Sequence, residues 1–171
     1  MRNISILLTF ILLNQILVAQ HLNVVVNDTV KNRPVLVDFI DRQGLQTGEF
    51  AEWYAKEYPA YIPDVGIIGQ LKTALSDIQI IVVLATWCGD SKEQVPRFLK
   101  VLDQADFEPE RCTMIGVDSQ KQARDLDVSV YDIERVPTFI FYRNEIEIGR
   151  IVETPLHSLE SDILNICNSA K

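Results

Sequence analysis

The chain has 171 residues, 47% of them hydrophobic, enough for an ordinary core, and a formal net charge of −8. That acidity, with no cluster of Lys or Arg, argues against nucleic acid or an anionic lipid surface as a partner. The cysteines number three, so at least one has no partner within the chain.

Residues 1–20 read as a secretory signal. Arg2 supplies a positive start, residues 4–18 are almost wholly apolar, and Val18-Ala19-Gln20 offers a cleavage region. The apolar run is shorter than the about 20 residues that cross a bilayer. An uncleaved N-terminal anchor is the alternative. Removing residues 1–20 from 171 leaves 151, the size of one domain, with a net charge of −9 once Arg2 is lost. The expected location is the periplasm or cell envelope.

Apolar runs at 22–26 and 34–40 predict two short strands, and residues 42–48 a polar turn. Phe50, Trp53, Tyr54 and Tyr58 share one helical face, with Pro59 and Pro63 ending that helix. Such an aromatic stripe reads as core, not as a ligand platform. Ile67, Ile68, Leu71 and Leu75 mark a second short helix. Residues 80–84 are apolar and rich in β-branching, a buried strand. Residues 90–105 then carry Val95, Phe98, Leu99 and Leu102 on one face, with Pro96 as a kink. A strand over 113–117 leads to Asp118-Ser119 as the cap of a short polar helix over 120–126. Residues 138–142 and 146–152 form a hairpin, and Thr154-Pro155 opens a final helix lined by Leu156, Leu159, Ile163, Ile166 and Cys167. The sum is an α/β fold, a central mixed sheet flanked by helices on both faces. An elaboration over 21–77 packs on a core over 78–171.

The chemistry sits at Trp87-Cys88-Gly89-Asp90-Ser91. A strand feeding a helix through this turn places the Cys88 sulfur at a helix N-terminus, where free N–H groups and the dipole favour a thiolate. Asp90 opposes that charge and Lys92 supports it. Ser91 stands where a second cysteine would complete Cys-x-x-Cys. Cys88 can attack a disulfide, but the Ser91 hydroxyl cannot release the product; it can only donate a hydrogen bond to the thiolate. Cys112 and Cys167 read as buried thiols acting as small hydrophobes, with a disulfide between them as the alternative. His21 and His157 lack zinc spacing, and no phosphate-binding glycine loop or Ser-His-Asp signature is present. Neither metal nor other cofactor is expected.

Trp87-Cys88-Gly89, Lys92, Pro96 and Val136-Pro137-Thr138 together resemble the thioredoxin superfamily, over about residues 78–171. The resemblance implies a thioredoxin-like fold and a cis bond before Pro137 facing the Cys88 sulfur. It implies a substrate groove formed by Trp87, Gly89, Asp90, Val136 and Pro137. Two positions depart from the family. Ser91 replaces the resolving cysteine, and Val82 stands where the family places a buried aspartate that helps that cysteine attack. Losing both is coherent. The expectation is monothiol (Cys-x-x-Ser) exchange by Cys88 and Ser91 on protein or small-molecule thiols and disulfides, by a monomer in cell-envelope redox homeostasis. The alternative is a redox-inactive binding module that keeps the fold and groove. A peroxidase reading finds only Thr86 of its usual motif.

Overall fold

The computed structural model describes residues 22–169, and the expected signal at 1–20 lies outside them. Strands β1 (Val24–Asp28) and β2 (Arg33–Ile40) form an antiparallel hairpin. Its turn is built by Asp28, whose Oδ1 accepts from the Val30 and Lys31 amides at 2.9 and 2.8 Å. Residues 42–48, expected as a turn, contain a one-turn helix, α1 (Arg42–Leu45), capped by the Asp41 carboxylate on the Gly44 amide. Helix α2 (Ala51–Ala60) runs one residue past Pro59, and α3 (Val65–Ala74) is capped by Asp64 on the Ile67 amide. Then come β3 (Ile78–Leu84), α4 (Gly89–Gln104), β4 (Cys112–Gly116), β5 (Thr138–Arg143), β6 (Ile146–Val152) and α5 (Leu159–Ser169).

The six strands lie in the order β1-β2-β4-β3-β5-β6, with β3–β4 the parallel pair and the other neighbours antiparallel. This is the expected mixed sheet. Its apolar β3 runs through the middle, which is why its residues carry no polar alternation. Gly116 is needed where β4 pairs with β2 opposite Asp38: a Cβ there would lie 2.4 Å from the Leu36 carbonyl oxygen.

Two apolar clusters divide the core. The larger joins Leu36, Leu45, Tyr54 and Leu71 to Val82, Phe98, Phe139, Leu159 and Cys167, so the N-terminal third and the rest share one interior. Among the described residues, all five helices send their buried apolar residues into this cluster. Helix α4 is further fixed by polar ties: Arg97 reaches Glu57 on α2 at 2.6 Å, and Asp103 receives Arg42 at 2.6 and 2.8 Å and the Tyr58 hydroxyl. The smaller cluster, around Val83, Ala85, Ile115, Val117, Val128 and Val136, lies under Trp87 and Cys88.

No helix forms over 120–126. The Asp118 Oδ1 accepts from the Gln120 and Gln122 amides at 2.9 Å, and the Asp38 Oδ1 from the Arg124 and Asp125 amides at 2.9 and 2.7 Å. Carboxylates thus take the N–H groups that a helical ladder would use. The smaller cluster is therefore covered by an irregular segment with one 3-10 turn (Ser129–Tyr131), not by the expected helix. The final helix also starts later than Thr154-Pro155. Asp162 folds back onto the Leu156 amide at 2.5 Å, and the Ser158 hydroxyl takes the Ser161 amide at 3.3 Å. Leu156 is left 91% exposed instead of lining the inner face.

Asp28 ties the hairpin to the opposite loop. It is 5% exposed and also receives the Ser119 amide at 2.7 Å and the Ser119 hydroxyl at 3.0 Å. Burial pushes its carboxyl up, but the Lys31, Ser119 and Val30 donors outweigh that and hold it below the ordinary carboxylate range. A carboxyl more acidic in the folded state stabilises the fold fully above the unfolded value of about 3.9, and that contribution is lost as pH falls through the folded value. Asp28→Asn should therefore cost about 1–3 kcal/mol at neutral pH. The gap to wild type in urea unfolding should narrow below about pH 4. A gap that stays constant into acid would show that the charge of Asp28 contributes nothing.

Candidate active site

Strand β3 ends at Leu84 and delivers Ala85, Thr86, Trp87 and Cys88 to the start of α4. Cys88 is the N-cap residue, with extended backbone, φ −82° and ψ 133°. Its N–H donates to the Ala85 carbonyl at 2.9 Å and its carbonyl accepts the Lys92 amide at 3.1 Å. The sulfur therefore stands at the head of a 16-residue helix, as the strand–turn–helix pattern predicts. Thr86, 3% exposed, anchors the turn from below by accepting the Leu36 amide at 3.1 Å. Pro96 lies inside α4, fully buried.

Across from Cys88 runs the loop that enters β5. The Val136–Pro137 peptide bond is cis, and the Cys88 S–H donates to the Val136 carbonyl oxygen at 3.2 Å. Both residues are buried, and the Pro137 carbonyl accepts the Glu153 amide at 2.7 Å. Cys88, Val136 and Pro137 thus meet at one point, though 48 residues separate the first two.

Ser91 is brought to the same turn but faces inward. It is 0% exposed, and its Oγ accepts the Ala85 amide at 3.2 Å. The bond seen for Ser91 is thus to the backbone behind Cys88, not to the sulfur. Gly89 is exposed and Asp90 half-exposed at the rim, with open space where a Gly89 side chain would go. Val82 is fully buried among apolar residues of the larger cluster. Trp87 is half-buried against the smaller cluster, with its indole N–H enclosed and unpaired.

Two contributors were missed by the sequence reading. The Lys31 ammonium lies over the Trp87 ring, 4.8 Å from its centroid, so the N-terminal hairpin reaches the site. Asp38, 0% exposed and at φ +63° in β2, holds the loop at Arg124 and Asp125, whose neighbours Ala123 and Leu126 pack on the same small cluster as Cys88, and its Oδ2 has no partner. An acid inside the apolar run Val35 to Ile40 was the available signal. No comparable signal marks Lys31.

All three cysteines are free. Burial pushes the Cys112 thiol up to about 12 and the Cys167 thiol up to about 11. At about pH 7 both are therefore protonated, and iodoacetamide should label the native chain once, at Cys88, but three times after denaturation. Native labelling of Cys112 or Cys167 would contradict their enclosure. Among the described residues no group of three or more His, Cys, Asp or Glu could hold a metal, and no helix is long and apolar enough to cross a membrane.

Residues 70–164 match the family model described as Thioredoxin. No curated protein matches the chain. Among solved structures it is similar to an HIV epitope-scaffold, at 15% identity and TM-score 0.48, covering 71% of this chain and 83% of that one. It is similar to the germline-specific thioredoxin Deadhead from Drosophila melanogaster (17% identity, TM-score 0.38, 60% and 90% covered). A thioredoxin from Trypanosoma brucei brucei gives 18% identity, TM-score 0.36, and coverage of 66% and 91%. At these scores the shapes add nothing to the family match.

Proposed function

The chain belongs to the thioredoxin family, and from that premise we propose that it performs thiol–disulfide exchange through one nucleophilic cysteine, Cys88. One observation carries the reading. Cys88 is a half-exposed thiol at the head of α4, 3.2 Å from the Val136 carbonyl, while the position of a second thiol is filled by a buried serine.

The Cys88 thiolate attacks one sulfur of a disulfide, forming a mixed disulfide and expelling the other sulfur as a thiolate. Ser91 cannot reverse this. A second thiolate, from the same substrate or from a small thiol, must attack the mixed disulfide and return Cys88. The chain itself gains and loses no electrons over that cycle, which suits isomerisation or monothiol exchange, not self-contained reduction. Trp87, Gly89 and Asp90 form the rim that meets the substrate, and Val136 and Pro137 the facing wall. Ser91 supports the turn from behind. Substrates are protein or small-molecule thiols and disulfides, met by a monomer exported to the cell envelope by residues 1–20.

Incubating the exported protein with extracts of its own cell envelope tests this directly. Non-reducing gels should show adducts that vanish in Cys88→Ser. The second reading, a redox-inactive binding module, draws support from Ser91, whose buried hydroxyl removes the dithiol cycle. It predicts partner capture that survives Cys88→Ser with no adduct at all.

A further inference from the structure

The Cys88 rim includes one cation that comes from outside the strand–turn–helix motif. Lys31 sits in the β1–β2 turn, 57 positions before Cys88 in the sequence, with its ammonium 4.8 Å from the Trp87 ring centroid. Its backbone is not free to drift. The Lys31 amide donates to Asp28 at 2.8 Å, and the same carboxylate is held by the Ser119 amide and hydroxyl at 2.7 and 3.0 Å. The hairpin turn is thus stapled to the loop after β4, and Lys31 is delivered to the residue next to the nucleophile.

We propose that Lys31 is a specificity-determining residue of the Cys88 site, favouring disulfides that carry a carboxylate a few bonds from the sulfur; this rests on the exchange reading above. A cation on an aromatic face uses one side of the ammonium and leaves the rest open to a second, anionic partner. Lys31 is exposed, and the contact seen for its ammonium is the Trp87 ring, not a carboxylate. Asp90, half-exposed in the first turn of α4, would repel an anionic substrate on its own. Lys92, two positions on, and Lys31 offset it from two elements. The step stays balanced: the Cys88 thiolate forms the new S–S bond, the old one breaks, and the carboxylate-bearing fragment leaves as a thiolate that takes a proton from water. No oxidant or reductant enters.

Three disulfides with a two-carbon arm to sulfur separate charge from reactivity: dithiodipropionate (anionic), bis(hydroxyethyl) disulfide (neutral) and cystamine (cationic). Single-turnover adduct formation on the full chain is followed by intact mass at low ionic strength. Lys31→Met should slow the anionic reaction about threefold, leave the neutral one unchanged and speed the cationic one. Lys31→Arg should restore the wild-type ratios, and added salt should erase the difference. Lys31 is exposed, so Lys31→Met should keep the fold; equal melting temperatures would confirm it. If Lys31→Met changes all three rates by one factor, Lys31 only props Trp87; if it changes none, Lys31 plays no part. Either result overturns the proposal while the exchange reading stands. A wild type that forms no adduct with any of the three overturns both together.

Discussion

Ser91→Cys should convert a chain that depends on an outside thiol into one that releases its own substrate. A second thiol one helical turn from Cys88 would attack the mixed disulfide within the molecule, and holding both groups in one turn raises the effective concentration enormously. In insulin reduction with a small dithiol as electron source, the wild type should run at background and the variant at least about tenfold faster. Ser91 is 0% exposed and accepts the Ala85 amide at 3.2 Å, so the larger sulfur carries a cost of about 1–2 kcal/mol from crowding and a weakened bond. That loss should lower the melting temperature without unfolding the protein. A folded Ser91→Cys variant that titrates one extra thiol yet leaves insulin intact would place the defect elsewhere. Val82, where the family resemblance implies a buried acid, and Asp90 at the rim would then be next to exchange.

Phe98→Ala should give the largest loss of stability. Phe98 is fully buried on α4, with its ring 4.4 Å from Phe139 and 6.2 Å from Phe141 on β5. It joins the helix that carries Cys88 to the strand that follows Pro137. Truncation removes the ring's transfer free energy and leaves a cavity that rigid neighbours cannot fill, about 3–5 kcal/mol in all. Urea unfolding should show a midpoint lowered by that amount divided by the slope, with the slope itself unchanged. A loss below about 1 kcal/mol would mean that the sheet and helix close over the gap, contrary to the tight packing seen here.

The elements that were legible in the sequence are those whose signal is local. β3 is a run of β-branched apolar residues between turn residues, α4 has apolar residues at helical spacing, and the 138–152 hairpin turns at Asn144. The Cys88 turn followed from these. The facing wall at Val136-Pro137 came from resemblance, since nothing in local patterning brings residues 48 positions apart together.

What the sequence hid depends on distant partners. Residues 120–126 have helical composition, but Asp38 on β2 takes two of their amides from 86 and 87 positions away. By its spacing Leu156 is an inward residue of the last helix, but Asp162 folds back on its amide and the helix begins only at Leu159. Lys31 reaches Trp87 only because Asp28 is tied to Ser119, 91 positions on. In each case a single carboxylate outweighs local propensity by capturing backbone N–H groups. Carboxylates within or just after apolar runs therefore deserve suspicion as tertiary staples.

Whether Cys88 alone is the nucleophile is read directly from its reaction with glutathione disulfide. Reduced protein is mixed with glutathione disulfide at neutral pH, quenched with acid, and mapped by peptide mass. One glutathione per chain is expected, on Cys88, lost again when a small thiol is added and absent in Cys88→Ser. An unmodified chain, or a glutathione found on Cys112 or Cys167 in the folded protein, would contradict it.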